Sequence, residues 1–179
     1  AVEILHKNKQ EVVKMLVAAD PKAAQYKDKD GNLPIHSCVE CVQIDEEAIL
    51  CIAEAYPDGM QYKDKDGNLP LHSAIERSMQ YNKREEMPVR VIEKLLGYYT
   101  GACTTKDRSG NTPLHSAVEI LDENVMEVVR FILSVDTKAC SLKDKDGNLP
   151  IHSALSAYCG HGYCNKKLLG SITALLEAN

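Results

Sequence analysis

Aspartate, cysteine and histidine recur in this chain at spacings that can bind metal or move protons. KDKDGNLP stands at residues 27–34, 63–70 and 143–150, with a looser copy, KDRSGNTP, at 106–113. Alternating carboxylates ahead of a glycine suggest a calcium loop, which needs oxygen ligands at its first, third and fifth positions, glycine at the sixth and glutamate at the twelfth. With Gly31 sixth, Asp28 and Asp30 take the third and fifth places, but Tyr26 is first and Ser37 twelfth. Two anchoring carboxylates are missing, so the spacing argues against calcium. An Asp-Gly pair instead suits a hairpin-like turn with positive backbone dihedrals and a solvated tip. The proline three residues later suits the first turn of a helix, where its missing N–H costs nothing.

The seven cysteines are odd in number and scattered without a disulfide framework, which points to a reducing, cytoplasmic (intracellular) setting. Cys38 and Cys41 form a CxxC outside any strand-turn context, and on a helix they share a face, so core packing is the expectation. Cys159, His161 and Cys164 are zinc-ligand types crowded into one glycine-containing loop. Only three such ligands are local, so neither a metal nor another cofactor is expected. The same trio lacks an orienting carboxylate and an oxyanion site, so it does not read as a nucleophile either. His36, His72, His115 and His152 each sit two residues after a helix-starting proline. One histidine per structural unit cannot converge on a single ion, which favours a structural role.

These residues are positioned by a repeat. The turns are followed by PIHSCVE, PLHSAIE, PLHSAVE and PIHSALS, and Gly31, Gly67, Gly110 and Gly147 lie 36, 43 and 37 residues apart, a period that signals a solenoid. A second helix follows each time, over 46–56, 88–99, 125–135 and 166–178, with aliphatic residues at three-and-four spacing such as Val91 with Leu95 and Ile92 with Leu96. The chain here resembles the ankyrin-repeat family, whose signature is Thr-Pro-Leu-His-x-Ala after a turn and then two antiparallel helices. The match is closest at Thr112-Pro113-Leu114-His115-Ser116-Ala117; Leu33, Leu69 and Leu149 replace the threonine elsewhere, and Cys38 replaces the alanine once.

The resemblance implies an all-α repeat solenoid of stacked helix-turn-helix ankyrin repeats joined by β-hairpin-like turns. It forms a single domain over 1–179, with a partial repeat at 1–26 and repeats at 27–62, 63–105, 106–142 and 143–179. Ala1-Val-Glu-Ile-Leu5 repeats Ala117-Val-Glu-Ile-Leu121, so residue 1 is expected to lie mid-repeat, partway along a first helix, in a segment of a longer polypeptide. The family also implies that the four histidines hydrogen-bond between neighbouring turns. A threonine before the proline caps a helix for about 1 kcal/mol. Repeats carrying leucine there are expected to rely more on burial.

A 44% hydrophobic composition with one Phe and no Trp fits aliphatic layers stacked on one another. The net charge of −5 and the interleaved Lys and Asp argue against nucleic acid, which wants clustered Lys and Arg. No apolar run reaches the ~20 residues of a membrane span, so direct membrane insertion is not expected. No nucleophile, base and oxyanion set or phosphate-cradling loop is assembled, so an enzyme is not expected.

In the family resembled, protein partners dock on hairpin tips and on the exposed side of the first helices. The tip positions here are Lys29, Asp30 and Asn32; Lys65, Asp66 and Asn68; Arg108, Ser109 and Asn111; and Lys145, Asp146 and Asn148. The helix positions are Glu40 and Cys41, Glu76 and Arg77, Glu119 and Ile120, Ser156 and Ala157. Insertions around 78–88 and 157–165 enlarge two inter-helix loops, as recognition elements or as tolerated drift. The function implied is a protein-interaction module or scaffold; a regulatory ankyrin domain in a larger enzyme or channel and a structural subunit of a fixed assembly are the alternatives.

Overall fold

The computed structural model describes residues 2–41, 46–80, 89–119, 125–160 and 173. Among them the regular elements are helices, with no strand. They are α1 (Val2–Ala19), α2 (Pro34–Glu40), α3 (Glu46–Ala55), α4 (Pro70–Gln80), α5 (Val89–Tyr98), α6 (Pro113–Glu119), α7 (Val125–Val135) and α8 (Pro150–Gly160). Short 3-10 turns at Pro21–Gln25, Pro57–Gln61, Thr100–Thr104 and Thr137–Ser141 follow α1, α3, α5 and α7. Contacts gather into two compact units, Ala1–Tyr99 and Thr100–Asn179. In the first, α2 packs on α3 and α4, α1 and α5 each pack on α3, and α4 packs on α5. In the second, α6 packs on α7 and α8, and the turn Thr137–Ser141 packs on α7 and α8.

The sequence dictates this locally. Each of Pro34, Pro70, Pro113 and Pro150 occupies the first position of its helix, as its fixed φ and absent donor require. The second helices match their expected ranges to within a residue, and the apolar stripe of α5, Val91, Ile92, Leu95 and Leu96, is buried. The helix expected over 166–178 lies outside the described residues apart from Thr173. α1 departs from expectation. The repeat alignment puts a junction between two helices in its first half, but residues 2–19 run as one helix. His6-Lys-Asn-Lys-Gln10 contains neither glycine nor proline to end it.

The residue before the helix-starting proline behaves the same way whether it is leucine or threonine. The N–H groups of Leu33, Leu69, Thr112 and Leu149 all donate to Nδ1 of the histidine three residues on, at 3.1, 3.2, 3.1 and 3.0 Å. The histidine therefore satisfies a donor at the helix start in every repeat, including those whose leucine cannot cap. Leu33 and Leu69 are 1% and 0% exposed. Leucine is a packing residue here, and Leu69→Thr should lose about 1–2 kcal/mol in chemical denaturation, because a buried aliphatic side chain is replaced by a smaller one with a hydroxyl. A gain in stability would show that the missing threonine cap outweighs the packing.

Candidate functional site: tips and first helices

Each tip is built by its leading aspartate. Asp28 N–H donates to the Asn32 carbonyl at 2.9 Å, and Gly31 N–H donates to the Asp28 carbonyl at 3.0 Å. Asp28 Oδ1 accepts the N–H groups of Asp30 and Asn32, both at 2.9 Å. Asp64 takes Asp66 and Asn68, Asp144 takes Asp146 and Asn148, and Asp107 takes Asn111, all at 2.8–2.9 Å. These are Asx-type turns. The bond from Asn32 N–H holds the Asp28 carboxyl below the usual carboxylate range. In Asp144 burial pulls upward, but the bonds from Asn148 N–H and the Asn148 side chain win and the value is lowered. The first aspartate of each turn is thus engaged by its own backbone, while the Lys and the second Asp stand at the tip. Among the described residues no group of three His, Cys, Asp or Glu side chains is placed to hold a metal ion.

Neighbouring turns are tied together. Lys65 N–H donates to Asn32 Oδ1 at 3.2 Å, and Lys145 N–H donates to the Ser109 carbonyl at 3.2 Å. His36 Nε2 lies 3.0 Å from the Tyr62 carbonyl, and His115 Nε2 lies 3.2 Å from the Asn148 carbonyl. Because a backbone N–H can only donate, Nδ1 of each ring is the acceptor and Nε2 carries the proton. The histidines of these two layers therefore bridge turns as the family resemblance implies. Burial pushes the pKa values of His36 and His115 down, against the carbonyl bonds at Nε2.

Most of the expected partner-binding positions are accessible. Lys29, Asp30, Glu40, Cys41, Lys65, Asp66, Arg108, Ser109, Glu119, Lys145, Asp146 and Ser156 are exposed, while Asn32, Asn68, Glu76, Asn111, Asn148 and Ala157 are half-buried. Arg77 is a correction. It is 7% exposed, and its Nη1 donates to the Val39 carbonyl at 3.1 Å in the last turn of α2. A long side chain can bury its stem and bring its guanidinium to the open carbonyls of a helix end, so the charge faces inward, not toward a partner. Ile120, His161 and Cys164 lie outside the described residues, as does most of each expected insertion. Cys38, Cys103 and Cys140 are buried, but Cys41 is exposed just past the end of α2, so of the CxxC pair expected in the core only Cys38 packs there. Burial pushes the Cys103 thiol up to about 11, which makes it a packing group rather than a nucleophile.

In the second unit six of the expected residues converge. Ser109, Asn111, Glu119, Asp146, Asn148 and Ser156 line one cleft of about 330 Å³, together with Asp144, His152 and Ser153. The last three were not foreseen, since a turn-forming aspartate and a register histidine carry no separate mark of facing a cleft. In the first unit, Glu40 stands where Glu119 stands in the second. Burial raises its pKa first, and the carboxylates of Asp64 and Asp66 raise it further against the pull of Lys65. First-helix glutamate and next-turn aspartates thus form an acidic neighbourhood in each unit.

Residues 109–144 match the family model described as Ankyrin repeat. Among solved structures, an ankyrin repeat domain from Acinetobacter baumannii AYE shares the fold at a TM-score of 0.67 and 19% identity, covering 92% of this chain and 72% of that one. No curated protein matches the chain in sequence. Ankyrin repeats are in general protein–protein interaction modules, and the fold is typically non-catalytic. No helix among the described residues is long and apolar enough to cross a membrane. An ankyrin repeat is thus matched in sequence at 109–144, and the chain shares the fold of an ankyrin repeat domain across most of its length.

Proposed function

We propose that this chain is a non-catalytic scaffold module that binds protein partners through its turn tips and first helices, with the cleft at Ser109, Glu119, Asp146 and Ser156 as a principal seat. The observation that carries this reading is the convergence of six family-equivalent positions on one polar cleft. Glu119, Asp144 and Asp146 make it acidic, so a partner segment carrying Lys or Arg has the complementary charge.

The test is affinity capture from the cells that make the protein, with the 179-residue chain as bait at low and then moderate salt. A Glu119→Lys/Asp146→Lys variant should retain any stoichiometric partner at least tenfold less than the wild type, since both positions are exposed and their reversal opposes a basic segment. Loss should be greatest at low salt, where rim charges act over the longest range. Equal retention by a variant with an unchanged thermal melt would refute the reading.

A further inference from the structure

Three of the four turns place an aspartate directly before the glycine, at Asp30, Asp66 and Asp146, and the remaining one places Ser109 there. The exchange is felt within the turn. Asp30, Asp66 and Asp146 each donate their N–H to the leading aspartate at 2.8–2.9 Å, whereas the Asp107 carboxylate takes the Asn111 N–H alone among the described residues. The Ser109 turn is thus held by one local side-chain bond where the others have two, and its tip opens more readily. Ser109 is exposed at that tip, and it lines the acidic cleft with Glu119 and Asp146.

The charges around Ser109 are those a phosphoryl group would meet. Arg108 and Lys106 stand one and three residues ahead of it, both exposed. From the next turn, Lys145 N–H donates to the Ser109 carbonyl at 3.2 Å, and a Cβ on Gly110 would lie 3.1 Å from Lys145 Cγ, so the stem of this lysine runs beside the same tip. Cations gathered at a modified residue let phosphorylation draw two segments together instead of driving them apart. Basic residues ahead of an acceptor are also a charge pattern by which kinases choose substrates. The other hydroxyls in this stretch are closed to an enzyme, since Thr112 and Ser116 are 0% and 6% exposed.

We propose that Ser109 is a phosphorylation site, used by a kinase that selects basic residues before its acceptor, and that its modification strengthens the hold of the acidic cleft on a basic partner segment. In the transfer, Ser109 Oγ forms a bond to the γ-phosphorus of ATP as the bond to the bridging oxygen of the β-phosphate breaks. ADP leaves with that electron pair, and the hydroxyl proton passes to the catalytic base of the kinase. The tip then carries a charge of about −1.5 to −2 where the other three carry an aspartate. The effect on the cleft rests on the partner reading given above; the modification itself does not.

Mass spectrometry over residues 107–130 of the protein purified from its own cells tests the site. The phosphoryl group should lie on Ser109 and on neither Thr112 nor Ser116, and Ser109→Ala should abolish it with an unchanged thermal melt. The effect on the cleft is read by fluorescence anisotropy with a labelled peptide of alternating lysine and glycine. Ser109→Asp, which gives this turn the residue of the other three, should bind the peptide about threefold or more tightly than the uncharged Ser109→Asn at low salt, and the gain should shrink at moderate salt. A segment never modified in the cells, or modified elsewhere than Ser109, would overturn the site. Equal measurable affinities of the two variants would overturn its effect, and a peptide that binds neither would instead overturn the reading of the cleft on which that effect rests.

Discussion

Gly110→Ala should destabilise the protein by about 3 kcal/mol or more, and Gly31→Ala, at the same place in its turn, by about 1–2 kcal/mol. Both glycines adopt a left-handed φ, 82° and 86°, so both alanines carry that backbone penalty. The difference lies in what surrounds them. A Cβ on Gly31 meets nothing within 4 Å, while one on Gly110 would lie 2.6 Å from Lys145 N and 3.0 Å from the Asp144 carbonyl carbon. Those are backbone atoms and cannot rotate away. The two turns would have to part, and the bond from Lys145 N–H to the Ser109 carbonyl would weaken with them. Urea denaturation of the two variants beside the wild type is the check, and equal shifts in midpoint would show that the close approach at Gly110 is not tight.

His115→Ala is expected to cost about 3–5 kcal/mol, from the volume lost and from the buried polar groups left unpaired. His115 is 0% exposed; its Nδ1 accepts Thr112 N–H and its Nε2 faces the Asn148 carbonyl. Asparagine can supply the acceptor at Nδ1 but cannot reach the next turn, so His115→Asn should recover part of the loss. The same ring makes stability depend on pH. Burial lowers the pKa of His36 and His115 in the folded state, so the unfolded chain takes up these protons first as pH falls. Stability should be full above the ordinary histidine range, about 6.5. It should decline as pH drops through that range toward the lowered folded values, and level off below them as far as these two groups contribute. Denaturation midpoints taken from pH 7.5 to 5 should show this slope, and His36→Asn/His115→Asn should flatten it. A slope that survives both substitutions would place its origin elsewhere.

The turns and helix starts were legible because each depends on residues within about five positions: an aspartate that takes its own backbone donors, a glycine at positive φ, and a proline at the first helical position. The tips followed from the same short pattern, as did the second helices from their aliphatic spacing. Arg77 was not legible, because a charged residue at a family contact position reads as solvent-facing and only the neighbouring helix supplies the Val39 carbonyl that draws it inward. The leucines before Pro34 and Pro70 were half legible. Sequence shows that they cannot cap, but that His36 and His72 answer their N–H groups appears only once the ring orientation is known. Asp144, His152 and Ser153 were missed for a similar reason, since a residue already explained by turn or register carries no second mark for lining a cleft.

The turn aspartates also bear on the order of folding. The bonds that Asp28 accepts span two and four residues, whereas those joining one layer to the next, Lys65 to Asn32 and His36 to Tyr62, span 33 and 26. Closing a loop of a few residues takes far less time and entropy than bringing distant segments together. Turn geometry can therefore exist in the chain before any layer is stacked, and each new layer needs only its immediate neighbour as a template. Contacts remain near in sequence throughout, the condition under which a chain propagates its structure from one repeat to the next instead of searching for it all at once.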